Sequence, residues 1–198
     1  MTTKEVLKII KERVPPRTTY VASLGRTSEE AFDLFPDQTL FLDSMGDISS
    51  VACGVALGLG PHLPVVALDT DGSHLMGITL LPTLATLVER LPNFLLVVLD
   101  NGIYESGGGL PSRAGVLDWH LMGRAFDLET RVANTRAECE SALDDVFTRF
   151  VYLVTKVENR EPPPAAKKSV DGMEAKYRFV RHLEKVLNRP LLVPAVKS

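Results

Sequence analysis

The sequence predicts an α/β fold: a doubly wound, mostly parallel sheet with helices on both faces. Three observations predict it. Short runs rich in β-branched and apolar residues alternate with longer helical patterns along the chain. Two of those runs, V-V-A-L-D at 65–69 and F-L-L-V-V-L-D at 94–100, are apolar almost throughout, as strands covered on both faces must be. Both then run straight into acid- and glycine-bearing turns, D-T-D-G-S-H at 69–74 and D-N-G-I-Y-E at 100–105. Open parallel sheets bind their ligands at such carboxyl ends.

Each element has its own local warrant. Thr3 to Arg13 reads as a helix, with Val6, Ile9 and Ile10 on one face and Val14 extending it, and Pro15-Pro16 stops it. T-T-Y-V-A-S-L-G at 18–25 is the first strand, and Thr27-Ser28-Glu29-Glu30 then gives a helix start. T-L-F-L-D at 39–43 is the second strand. Residues 49–60 form a helix crowded with small residues, where Gly54, Ala56, Gly58 and Gly60 permit close approach of the chain's own sheet or of a partner. The third strand, 65–69, leads to a helix over 75–90 with Pro82 as a kink or break. The fourth strand, 94–100, leads through a glycine-rich loop to helices at 119–126 and 136–149, and 151–157 is the fifth strand. E-P-P-P-A-A-K-K at 161–168 reads as an extended linker. The last helix, 171–187, carries apolar residues at 173, 177, 180, 183 and 187, a stripe that should dock on the body. Residues 1–160 are therefore expected to form one α/β domain, with 161–198 supplying a linker and a helix that packs on it.

Composition narrows the function. With 198 residues, 45% of them hydrophobic and 24% charged, the chain can bury a full core. A formal net charge of −3 argues against nucleic acid, whose phosphates call for a basic face. Two cysteines, Cys53 and Cys139, make no disulfide framework or metal knuckle. The amphipathic N-terminus lacks the apolar core of a signal peptide, and no apolar run is long enough to span a membrane. A soluble cytoplasmic protein is expected.

The chemistry concentrates at the two strand ends. Asp71-Gly72-Ser73 stands where a strand gives way to a helix, a place where exposed N–H groups attract phosphate. Gly72 lets the backbone approach an anion, and the Ser73 hydroxyl can donate to it. A carboxylate among phosphate donors repels unless a cation stands between, and Mg²⁺ is commonly held by one or two carboxylates plus phosphate oxygens. Asn101, 28 residues after Ser73, offers a neutral carbonyl ligand from the neighbouring strand. Asp-Gly and Asn-Gly are also ordinary turn dipeptides. It is the pair, in one register, that points to a diphosphate–metal clamp. A self-sufficient nucleotide or phosphosugar binder could use the same clamp.

D-G-S, a spacer of this length and then Asn101 resembles the thiamin diphosphate fingerprint. The stretch L-D-S-M-G-D-I-S-S-V-A-C-G-V-A-L-G resembles the segment upstream of that fingerprint in 2-oxo acid decarboxylases. D-N-G-I-Y-E-S-G-G-G-L-P-S and D-G-M-E-A-K-Y-R-F resemble the following loop and the tail of sulfopyruvate and phosphonopyruvate decarboxylases. The resemblance covers roughly residues 19–187 and implies the diphosphate-binding half of the thiamin diphosphate-binding fold, of beta-subunit size.

The resemblance implies a thiamin diphosphate and Mg²⁺ site. Asp71, Asn101 and the backbone carbonyl of Ile103 would ligate the metal. Gly72 and Ser73 would hold the diphosphate. Met45 would prop the cofactor in its bent form, and the backbone near Asp43 and Ser44 would contact the aminopyrimidine. Asn101, Ile103 and Tyr104 would line the cofactor. Glu105 and Ser106, with Gly107–Gly109, would cover the reaction face. His74 stands where it could reach diphosphate or substrate, so His74, Glu105 and Ser106 are the candidate catalytic residues. His62, His120 and His182 read as surface, packing and solvated residues. Thr70 replaces the first glycine of the fingerprint and must be accommodated with φ < 0. Leu110 replaces a glutamine of the phosphonopyruvate-type loop, which would suit a less polar substrate than a sulfonate or phosphonate.

The family's activating glutamate sits on a second α/β domain, for which this chain has no room. The resemblance thus implies the beta-type subunit of a hetero-oligomer, a lyase acting on a small 2-oxo acid and completed by an alpha-type, pyrimidine-binding subunit. Aldehyde release, carboligation and a non-catalytic relative with the same fold all remain open from sequence.

Overall fold

The computed structural model describes residues 1–158 and 171–192. In chain order the elements are α1 (Thr3–Arg13), β1 (Thr19–Ala22), α2 (Arg26–Leu34), β2 (Thr39–Phe41), α3 (Ile48–Leu59), β3 (Val65–Thr70), α4 (Asp71–Met76), α5 (Leu81–Leu87), β4 (Phe94–Asp100), β5 (Ile103–Tyr104), β6 (Leu110–Pro111), α6 (Trp119–Ala125), β7 (Thr130–Ala133), α7 (Arg136–Ser141), β8 (Val151–Lys156) and α8 (Gly172–Leu187). Six strands form one sheet in the order β2-β1-β3-β4-β8-β7, and every neighbouring pair is parallel. β5 and β6 form a separate antiparallel ribbon. The chain leaves β1 toward one edge and β3 toward the other, so the β1/β3 boundary is the point where strand order reverses.

Side-chain alternation sorts the interior into two layers. Val66 and Leu68 of β3 and Leu95, Val97 and Leu99 of β4 pack with Val6, Ile9 and Ile10 of α1, Ala31 of α2 and Cys139 of α7. The intervening residues, Val65, Ala67, Leu96 and Val98, pack with Ile48, Ala52 and Ala56 of α3, Leu81 and Leu84 of α5, and Trp119 of α6. All seven residues of β4 are buried. Helices therefore cover both faces, as the unbroken apolar runs require. The small-residue helix α3 turns Ala52, Cys53 and Ala56 onto its own sheet, while Gly54 and Gly58 face outward.

Several elements differ from their sequence expectation. The first strand occupies only Thr19–Ala22. The helix expected over 75–90 begins four residues earlier, at Asp71, and breaks into α4, α5 and two single 3₁₀ turns. Pro82 sits in the first turn of α5, where its missing N–H has no partner to lose. α7 stops at Ser141, and beyond it the Ala142 carbonyl and both Asp145 carboxylate oxygens accept from the Arg131 guanidinium. β7 is an additional strand at the sheet edge. α8 does dock on β2, but through Ala175, Phe179 and His182. Met173 and Tyr177 of the expected stripe are exposed. His182 is accordingly buried and hydrogen-bonded to Thr19 Oγ1 at 3.0 Å, rather than solvated. The linker expected at 161–168 lies outside the described residues. No described helix is long and apolar enough to cross a membrane.

Candidate functional site

The site is built where β3 and β4 end. Their register pairs Asp69 with Val98 and Thr70 with Leu99, so Asp71 follows level with Asp100 and one step from Asn101. Adjacent strands lie about 4.8 Å apart, which brings Asp71 and Asn101 onto one rim. Thr70 has φ −112° and ψ 156°, an extended conformation that a β-branched residue adopts without strain. The helix α4 starts at the next residue, so Asp71 needs no intervening loop.

Asp71 is fully buried. Its Oδ2 accepts a hydrogen bond from the Ser112 hydroxyl, and its Oδ1 has no partner. Burial pushes its pKa up, the Ser112 hydroxyl and the backbone N–H groups at Gly72 and Asp71 hold it down in part, and the nearby negative charge of Asp100 adds to the rise. A buried carboxylate oxygen with no donor is costly, and a cation is the partner that fits it. Asn101 is half-buried and its Oδ1 accepts from the Ile103 N–H at 3.0 Å. That turn fixes the amide beside Ile103 and leaves the carbonyl oxygen a second lone pair. Among the described residues no three His, Cys, Asp or Glu side chains cluster to hold a metal. A cation here would instead lean on one carboxylate, neutral oxygens and a ligand's phosphates, the coordination habit of Mg²⁺. The donor set present fits that ion.

The neighbouring acids serve the fold. Asp100 accepts from Trp119 Nε1 at 2.9 Å and from the Lys156 ammonium. Asp69 accepts from Ser49 Oγ at 2.9 Å. His74, a catalytic candidate from sequence, is 1% exposed: Ser49 Oγ lies 3.2 Å from its Nδ1, and the Tyr152 hydroxyl 2.7 Å from its Nε2. With both ring nitrogens engaged beneath α4, it faces the interior rather than the cleft.

Ser73 is also fully buried, and its hydroxyl accepts the Gly46 N–H at 3.1 Å. It thereby docks the turn carrying exposed Asp43 and Ser44 and half-buried Met45. Gly77 completes this dock. A Cβ there would stand 2.2 Å from the Gly46 carbonyl oxygen. Gly72 has a related constraint, since a Cβ would meet the Tyr104 ring at 2.3 Å. The ring of Tyr104 lies against the start of α4, and the β5–β6 ribbon carries the loop onward through exposed Glu105 and Ser106 to exposed Leu110.

These parts frame a cleft at the strand-order reversal, lined by Ser23, Arg26 and Thr27 after β1, by Met45 and Thr70, and by Asn101, Ile103, Tyr104, Glu105 and Ser106. Thus Met45, Asn101, Ile103, Tyr104, Glu105 and Ser106 converge on one cleft. Asp71, Gly72 and Ser73 are buried and do not line it, and neither do the exposed Asp43 and Ser44. Sequence reasoning missed Ser112 and Gly77. Ser112 is 41 residues from its partner Asp71, and nothing local announces the bond.

A family model described as thiamine pyrophosphate enzyme, C-terminal TPP binding domain, matches residues 26–186. The chain belongs to this family. The TPP-binding domain is 28% identical, over 93% of this chain and 99% of the relative, to sulfopyruvate decarboxylase subunit beta of Methanococcus maripaludis. It is 35% identical, over 66% of this chain, to phosphonopyruvate decarboxylase of Streptomyces hygroscopicus, of which it spans only 35%. Among solved structures, benzoylformate decarboxylase from Polynucleobacter necessarius superposes with a TM-score of 0.67 at 24% identity, covering 81% of this chain and 34% of that one. That last likeness shows the fold. It agrees with the doubly wound parallel sheet read from the sequence.

Proposed function

We propose that this TPP-binding domain is the diphosphate- and metal-holding half of a 2-oxo acid decarboxylase, completed by a separate alpha-type subunit. The observation that carries this reading is the buried, unpartnered Oδ1 of Asp71 beside Asn101 at the ends of two adjacent strands. In this reading Asp71, Asn101 and the Ile103 carbonyl hold Mg²⁺, and the backbone at Gly72 and Ser73 receives the diphosphate. Ser112 fixes one Asp71 oxygen so that the other faces the ion. Met45, with Asp43 and Ser44, supports the organic part of the cofactor. Glu105 and Ser106 face the substrate side of the cleft. His74 acts through α4, holding its first turn, rather than on substrate.

Thiamin diphosphate, when bound, supplies the electron sink into which the 2-oxo acid's carboxylate electrons flow as CO₂ leaves. This chain's residues supply orientation and a covered pocket. A partner is part of the reading for two reasons. The relative that this chain spans almost end to end is named a beta subunit, and the phosphonopyruvate decarboxylase relative is nearly three times as long as the matched part. The alpha-type chain would bring the glutamate that activates the cofactor's pyrimidine.

The test is CO₂ release from a panel of small 2-oxo acids with thiamin diphosphate and Mg²⁺, using this chain alone and co-expressed with an alpha-type chain. The expected result is turnover by the pair only, abolished by Asp71→Ala. Turnover by the single chain overturns the need for a partner. Full activity of the Asp71→Ala pair overturns the metal assignment.

A further inference from the structure

The metal clamp leaves one charged group of the cleft unused. Arg26 opens α2 and its side chain is only 9% exposed. Its Nε donates to Glu105 Oε1 at 3.0 Å, and its Nη1 stands 3.7 Å from Glu30 Oε1. The two carboxylates differ in kind. Glu30 lies one helical turn along α2 and is 4% exposed, an integral part of the interior. Glu105 is 79 residues away, on the turn after β5, and is 36% exposed. It reaches Arg26 from the opposite wall of the cleft, which both residues line with Ser23, Thr27 and Asn101.

A guanidinium keeps its charge at every physiological pH, and its planar fork matches phosphate and carboxylate oxygens. Nearly buried, it needs an anion beside it. Between Glu30 and Glu105, Glu105 is the exchangeable carboxylate, since a partly exposed ion pair contributes little and its loop continues into Gly107–Gly109. Were Glu105 to stay in place, its charge would repel any anion entering the cleft. We propose that Arg26 is the anion receptor of this cleft and that Glu105 is its placeholder, displaced when a phosphate- or carboxylate-bearing ligand arrives. The ligand classes rest on the function proposed above: the cofactor's diphosphate or the acid group of the 2-oxo acid. The exchange swaps one ion pair for another and makes or breaks no covalent bond.

The test is calorimetric titration of the full chain in Mg²⁺ with inorganic pyrophosphate in one arm and pyruvate in the other. Four proteins are compared: wild type, Glu105→Gln, Arg26→Gln and the double variant. Glu105→Gln should tighten binding about three- to tenfold, and Arg26→Gln should weaken it about tenfold, in whichever arm supplies the anion. In the Arg26→Gln background, Glu105→Gln should change nothing, because no receptor is left to mask. A response to pyrophosphate assigns Arg26 to the cofactor, and a response to pyruvate assigns it to the substrate. Unchanged or weaker binding by Glu105→Gln in both arms, or the same gain without Arg26, overturns the proposal. If Arg26→Gln does not fold, Arg26→Lys replaces it: the charge remains without the fork, and the gain from Glu105→Gln should shrink. Pyrophosphate binding that depends on Asp71 but not on Glu105 or Arg26 overturns this inference alone. A wild type that binds neither probe overturns the diphosphate reading with it.

Discussion

Replacing Asp71 by asparagine should make the ligand-free protein more stable and the loaded protein less so. In the absence of metal, Asp71 holds a buried carboxylate with one oxygen unpartnered and a second acid, Asp100, close enough to raise its pKa. A buried polar group left without a partner costs about 1–3 kcal/mol, and more when it is charged. The asparagine amide still leaves that position unpartnered, so the substitution removes only the charged excess, on the order of 1–2 kcal/mol. Asparagine keeps the shape, keeps an oxygen for the Ser112 hydroxyl and removes the charge. For a domain of this size 1 kcal/mol moves Tm by roughly 2–4 °C, so Asp71→Asn should raise Tm in EDTA by about 2–8 °C. Thiamin diphosphate with Mg²⁺ at about 100 times Kd should stabilise the wild type by ~2.7 kcal/mol, and that gain should vanish in the variant. The two proteins then exchange rank between EDTA and Mg²⁺–thiamin diphosphate. The pH dependence has a defined sign. Folded Asp71 binds its proton more tightly than the unfolded side chain, whose pKa is near 3.8. The native state therefore holds more protons between that value and the raised folded one, and the Asp71 contribution to stability falls as pH rises through the window. Asp71→Asn abolishes that contribution. Scanning calorimetry in the two buffers reads the outcome. A variant that is less stable in EDTA, or that gains as much from the ligand as the wild type, refutes the reasoning.

Two further substitutions probe the supports of the site. Gly77→Ala puts a methyl group against the Gly46 carbonyl oxygen, a backbone contact that cannot rotate away. It should cost about 1–3 kcal/mol in chemical denaturation and weaken thiamin diphosphate binding by displacing Met45, whereas an unchanged denaturation midpoint would show that the dock is slack. His182 is buried against Thr19, and burial lowers its pKa below the usual 6.5. Below pH 6.5 the unfolded chain binds a proton that the folded one resists, so stability is full above that value and declines as pH falls through the folded pKa. Melting curves between pH 5 and 7.5 should show this slope in the wild type and a flatter one in His182→Gln. Equal slopes would place the acid sensitivity elsewhere.

The parts of this molecule legible in the sequence are those where local pattern and tertiary role coincide. β3 and β4 announce themselves because a strand buried on both faces has no polar position to spare, and their acidic ends stand out against that background. β7 escaped because T-R-V-A is short, edge-placed and half polar, so its strand identity comes from pairing with β8 rather than from its own composition. The apolar residues of α8 suggest a stripe through Met173 and Tyr177, but the helix packs along edge strand β2 and reaches Thr19 of β1, whose hydroxyl makes a histidine the better neighbour. The site divides along the same line. Asp71, Asn101, Ile103 and Tyr104 are contiguous with their strands, so their placement follows from sequence. The Ser112–Asp71 bond, the Gly46–Gly77 contact and the Arg26–Glu105 pair join segments far apart in the chain, and no local signal encodes them. His74 misled because adjacency to Ser73 along the chain implies nothing about direction. Helical rotation carries its ring under α4, toward Tyr152.

The most direct measurement is anomalous diffraction from crystals of this chain grown with thiamin diphosphate and Mn²⁺ in place of Mg²⁺. One strong peak is expected at the rim of β3 and β4, within about 2.5 Å of Asp71 Oδ1 and of the Asn101 side-chain oxygen, with diphosphate density beside it. A peak bound to other residues, or diphosphate density with Asp71 Oδ1 still unpartnered, would contradict it.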